Sequence, residues 1–180
     1  AGANITFSGE GIVEVGGDFL IGSGRTITNN LTGGMTIGDE MIFESTSSNA
    51  AFINNGSLTV NTRILFNARN ISFQNNGTVS STLNGLVVND NADDGNMFIN
   101  AHGSTFNVST VNANNADFTL NNSGTINQTG NFSNISAGSS CTNLDGSTWN
   151  FSGGGTNARL FCNNGNNTFN YNATAAQAIL

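Results

Sequence analysis

The chain has 180 residues, enough for one domain with a real core, and only 8% of them are charged, against roughly a quarter in ordinary globular proteins. A formal charge of −7, four arginines and no lysine exclude nucleic acid and anionic membrane surfaces, because both are recognised through clustered basic side chains. No run approaches the ~18 apolar residues that span a bilayer, so membrane insertion is excluded as well.

The rest of the composition is polar but not disordered. Asparagine occurs 34 times, Ser and Thr together 38 times and Gly 23 times, yet 37% of residues are hydrophobic and 13 phenylalanines are spread along the chain. Regularly spaced aromatic and β-branched residues imply a core.

In chain order, the stretch from Gly34 to Asn55 carries three strand-like runs, Met35 to Ile37, Met41 to Glu44 and Ala51 to Ile53. The next stretch, Gly56 to Asn76, repeats the pattern with Ser57 to Val60, Arg63 to Phe66 and Ile71 to Phe73. Each run alternates with period two and is bounded by Gly and Asn, which is strand patterning and not helix patterning. Phe52-Ile53-Asn54-Asn55-Gly56, Phe73-Gln74-Asn75-Asn76-Gly77 and Phe161-Cys162-Asn163-Asn164-Gly165 are the clearest copies of one phrase. Weaker copies end at Gly103, Gly124 and Gly146. With Gly11 and Gly34, the glycines at 11, 34, 56, 77, 103, 124, 146 and 165 are spaced by 22 residues on average.

Three short strands per 22 residues predict an all-β parallel β-helix, a β-solenoid of about eight triangular coils in a single domain over residues 1–180. The right-handed preference of parallel crossovers makes the expected winding right-handed. Asn54, Asn75, Asn100, Asn122, Asn143 and Asn163 are expected to stack at one corner, because Asn tolerates left-handed backbone and its amides bond to those above and below. The following glycines are expected to turn with positive φ. Phe7, Phe52, Phe73, Phe98, Leu120 and Phe161 predict one inward column. Val13, Leu58, Val79, Phe106, Ile126, Trp149 and Phe169 predict a second.

Composition and period resemble the Asn-, Gly- and Thr-rich repeat regions of Bacteroidetes surface proteins, many of them type IX secretion substrates and adhesins. The stretch Gly165 to Gln177 is similar to a phrase that recurs in that family. The resemblance implies an extracellular or cell-surface location and supplies no catalytic residue.

Site chemistry is sparse. His102 is the single histidine and reads as a polar turn residue, since a catalytic role needs a nucleophile and an orienting group beside it. Asp90, Asp93 and Asp94, with the amides of Asn89, Asn91 and Asn96, supply hard oxygen ligands suited to Ca²⁺, although the spacing is not that of an EF-hand and an acidic solvated loop explains them as well. Ca²⁺ is the one candidate cofactor. Cys141 and Cys162 stand about one coil apart and read as a disulfide or as two buried thiols.

The expected function is therefore a non-catalytic structural or adhesive module, a surface stalk or filament unit. Further coils or protein partners are expected at its ends, with surface glycans as other candidates. A carbohydrate-binding or carbohydrate-cleaving β-helix is the alternative. An ice-binding solenoid is the third reading: Ser57-Leu58-Thr59 and Thr78-Val79-Ser80 begin a flat outward row, which Phe106 and Trp149 are expected to break.

Overall fold

In a computed structural model the protein is described over residues 3–45, 48–89, 95–113, 117–133, 139–153 and 168–171. The first coil holds β1 (Ile5–Gly9), β2 (Val13–Val15) and β3 (Phe19–Ile21), and the second β4 (Thr26–Leu31), β5 (Met35–Ile37) and β6 (Met41–Phe43). The third and fourth hold β7 (Ala51–Asn54), β8 (Ser57–Val60), β9 (Arg63–Phe66), β10 (Ser72–Asn75), β11 (Thr78–Ser81) and β12 (Gly85–Val88). The fifth and sixth hold β13 (Asn96–Asn100), β14 (Thr105–Val108), β15 (Val111–Ala113), β16 (Phe118–Asn122), β17 (Thr125–Gln128) and β18 (Phe132–Ser133). Beyond these six coils come β19 (Ser140–Asn143), β20 (Thr148–Phe151) and β21 (Thr168–Tyr171).

Every third strand up to β20 joins the same sheet, and β21 follows β20, in the orders β1-β4-β7-β10-β13-β16-β19, β2-β5-β8-β11-β14-β17-β20-β21 and β18-β15-β12-β9-β6-β3. All pairings are parallel; a typical register sets Phe73 beside Phe52 and Phe98. This is the β-solenoid the 22-residue period predicts, with a strand from each successive coil about 4.8 Å from the last.

The core is the stacked interior. Ile27, Phe52, Phe73, Phe98, Leu120 and Cys141 form one inward column, and all are buried. Phe73 is sandwiched between Phe52 and Phe98, with ring centroids 5.2 and 4.9 Å away. Phe7 does not belong to this column: it stands in register with Asn29, and Ile5 takes the place expected for it. Phe161 lies outside the described residues. The second column runs from Val13 through Met35, Leu58, Val79, Phe106, Ile126 and Trp149 to Phe169.

The glycines of the repeat serve two different ends. Gly34, Gly103 and Gly146 have positive φ, as expected. Gly11, Gly56, Gly77 and Gly124 do not. At Gly56 and Gly77 a Cβ would collide with the carbonyl oxygens of Leu31 and Gly56 in the preceding coil, and at Gly124 with those of Ala101 and Ser104. Close approach between coils, not backbone hand, is what requires Gly there. Two coils solve the corner differently: Ala101 to Ser104 and Leu144 to Ser147 are longer turns. Hydrogen bonds from Thr78 N to Gly56 O, Thr125 N to Ser104 O and Thr148 N to Gly124 O put Ser104 in the position that Gly56, Gly77 and Gly124 fill in other coils. Gly165 lies outside the described residues.

Candidate functional site

The most ordered polar feature is internal. Asn29, Asn54, Asn75, Asn100, Asn122 and Asn143 are fully buried at the corner between the first and second sheets. The Nδ2 of each donates to the Oδ1 of the next, at 2.8, 2.9, 2.8, 2.8 and 2.7 Å in turn. The same Nδ2 groups donate to backbone carbonyls, for example Asn75 to Thr105 O at 2.9 Å. Oδ1 of Asn75 and of Asn122 also accepts from the N–H two residues on, at Gly77 and Gly124. The backbone therefore fixes which way each amide faces. Asn29 extends the ladder by one coil that the N-N-G phrase hides, since Leu31-Thr32-Gly33 intervene before Gly34. Asn163 lies outside the described residues. The ladder asparagines sit in extended strands; the left-handed asparagines are Asn49 and Asn70, which lead into the strands of the first sheet. The conformational reason expected for the ladder gives way to the hydrogen-bonding one.

The outer face of the second sheet is also periodic. Ser57, Thr78, Thr105, Thr125, Thr148 and Thr168 form one outward row. Two residues on, Thr59, Ser80, Asn107, Asn127, Asn150 and Asn170 form a second. Asn107 Nδ2 donates to Ser80 Oγ at 3.2 Å, and Asn127, Asn150 and Asn170 each donate to the Oδ1 of the preceding coil at 2.9, 2.8 and 2.7 Å. Phe106 and Trp149 do not break these rows: both point inward and are fully buried. Trp149 donates its indole N–H to Gln128 Oε1 inside the core at 3.3 Å.

Titratable side chains are scattered. Among the described residues no three of His, Cys, Asp and Glu gather where they could hold a metal ion. His102 is an exposed tip of the Ala101 to Ser104 turn. The described ion pair is Arg63 Nε to Glu40 Oε1 at 2.9 Å, partly exposed, so it contributes at most about 1 kcal/mol. A shallow depression beside the outward rows is lined by Asn127, Gln128, Thr129, Asn150, Phe151 and Ser152. It has hydrogen-bonding capacity and nothing that ionises. Asp90, Asp93 and Asp94 lie outside the described residues. So does Cys162; Cys141 is buried in the inward column behind Leu120.

Comparison with family models, with curated proteins and with solved structures finds no match. The geometry alone carries the functional argument. No helix in the described residues is long and apolar enough to cross a membrane.

Proposed function

We propose that the chain is a non-catalytic structural or adhesive module, a stretch of extracellular or cell-surface rod of the kind its composition resembles. The observation that supports it is the buried amide ladder, unbroken over six successive coils. It ties every coil to the next along the axis, which suits a stiff spacer and is not needed by a catalytic cleft. Among the described residues the acids are dispersed and His102 is exposed, which agrees with this reading, because acid–base chemistry needs positioned groups in mutual reach.

The first coil supports association along the axis. Strands β1, β2 and β3 are terminal in their three sheets, and Phe7, Val13, Val15 and Phe19 are only half-buried there. Open strand edges with apolar interiors pair readily with another coil. Light scattering is expected to show concentration-dependent assembly, weakened by Thr6→Pro, which removes an edge N–H. A clean monomer at high concentration would refute axial association. Reducing sugar released from a polysaccharide, and abolished by Asp93→Asn or Asp94→Asn, would overturn the non-catalytic reading itself.

A further inference from the structure

The outward rows of the second sheet suit a ligand that is itself a lattice. Strands repeat about every 4.8 Å along the axis, and residues two apart in a strand are about 6.6 Å apart. From β8 to β21 the two rows therefore form a grid six coils long, spanning about 24 Å. The register along it is one to one. No charged residue stands in either row between Ser57 and Asn170.

Comparison with the neighbouring faces shows that this order is particular to one sheet. The equivalent outward column of the first sheet reads Thr6, Thr28, Ile53, Gln74, Ile99, Asn121 and Thr142, mixing apolar and amide side chains. That of the third reads Leu20, Ile42, Leu65, Val87 and Asn112. Only the second sheet offers hydroxyls and amides alone from Thr36 onwards.

We propose that this face is an ice-binding surface, its ligand the ordered water of an ice crystal plane. This goes beyond the structural reading above and does not depend on it. Threonine presents a hydroxyl and a methyl together, so a Thr row orders water beside apolar groups without the strong pull of a charge. The second row is pre-organised: each Asn from Asn107 onward is held by its neighbour, so its position along the axis costs little entropy to fix on binding. The shorter grid spacing, about 4.8 Å, is close to the shorter oxygen repeat of the ice lattice, and the longer one, about 6.6 Å, falls somewhat short of the lattice's longer repeat. A glycan surface fits less well. Sugar rings stack on exposed aromatic faces, and among the described side chains of these strands Phe106, Trp149 and Phe151 are buried in the core and Phe169 is partly buried against it.

The test is freezing-point hysteresis and ice-crystal shaping measured on the whole chain by nanolitre osmometry. Wild type is expected to give hysteresis and faceted crystals. The pair Thr125→Tyr and Thr148→Tyr, which breaks the first row with bulk that points to solvent, is expected to lose both while its melting curve stays close to wild type. Thr119→Tyr, outward on the first sheet, is expected to change neither. If the tyrosine pair melts early, Thr125→Val with Thr148→Val keeps side-chain shape and is expected to lower hysteresis. Absence of hysteresis and shaping in millimolar wild type would overturn the proposal. So would full activity in a folded tyrosine pair or in the valine pair. Retention on crystalline cellulose or chitin, lost in the tyrosine pair and unaccompanied by any ice activity, would reassign the face to a polysaccharide.

Discussion

Asn75→Ala tests the buried ladder directly. In the native chain Asn75 Nδ2 donates to Asn100 Oδ1 and Thr105 O at 2.8 and 2.9 Å. Its Oδ1 accepts from Asn54 Nδ2 at 2.9 Å and from Gly77 N at 3.1 Å. Truncation leaves the Gly77 N–H facing space with no acceptor, while Asn54 Nδ2 keeps Gly56 O and Thr78 O at 2.9 and 3.0 Å. Asn100 Oδ1 loses less, because Ser104 Oγ still donates to it at 2.8 Å. An orphaned buried donor costs about 1–3 kcal/mol, which is the loss expected here. Asn127→Ala removes a similar ladder residue on the outer face, where water replaces the lost partner, and should cost about 0.5 kcal/mol or less. Urea denaturation followed by far-ultraviolet circular dichroism compares the two, read at the midpoint, since solenoid coils need not melt as one unit. Equal losses for the two variants, or a loss under about 1 kcal/mol for Asn75→Ala, would refute the claim that the inner amides hold the coils together.

Three further outcomes follow from the packing. Phe73→Ala, which empties the space between Phe52 and Phe98, should cost about 3–5 kcal/mol in the same titration; a loss under about 1 kcal/mol would contradict its burial. Gly77→Ala should destabilise by about 1–3 kcal/mol through overpacking against the Gly56 carbonyl, whereas Gly16→Ala, with open space around it, should leave the midpoint unchanged or raised. His102→Ala should stay within about 0.5 kcal/mol; a larger shift would show that the turn tip is engaged.

The sheets were legible because alternation along short runs and a period in glycine report different aspects of one coil. The run Ser57–Val60 and the run Arg63–Phe66 coincide with strands residue for residue. The ladder was legible for a similar reason: identical amides at a fixed place in the repeat have nowhere better to bond than to each other. What failed was anything that depends on insertion. Three inserted residues, Leu31 to Gly33, between Asn30 and Gly34 conceal the first ladder member. The longer turns at His102 and Asp145 place their glycines out of equivalence with Gly56 and Gly77. Phe7 falls one alternate position away from its expected column, since Ile5 pairs with Ile27 and Phe7 with Asn29. The outward row is the one misread feature of this face, because Phe106 and Trp149 belong to the inward column the alternation predicts and cannot also interrupt the outward one. Alternation says that neighbours oppose each other, and the intervening Thr and Asn residues were the ones facing water.

The direction of the hydrogen bonds has an electrical consequence. Along the core file every amide donates toward the later coil. Along the surface files every amide donates toward the earlier one, on the second sheet from Asn170 back to Ser80 and on the first from Asn76 back to Asn30. Amide dipoles, roughly 3.5 D apiece in a peptide unit, add when aligned, as they do along a helix. Here one file of aligned dipoles is sheathed by others of opposite sense, much as the conductors of a coaxial cable carry opposed currents. The opposed files offset part of one another's dipole along the axis, so each added coil adds less to the field at the ends than the core file alone would.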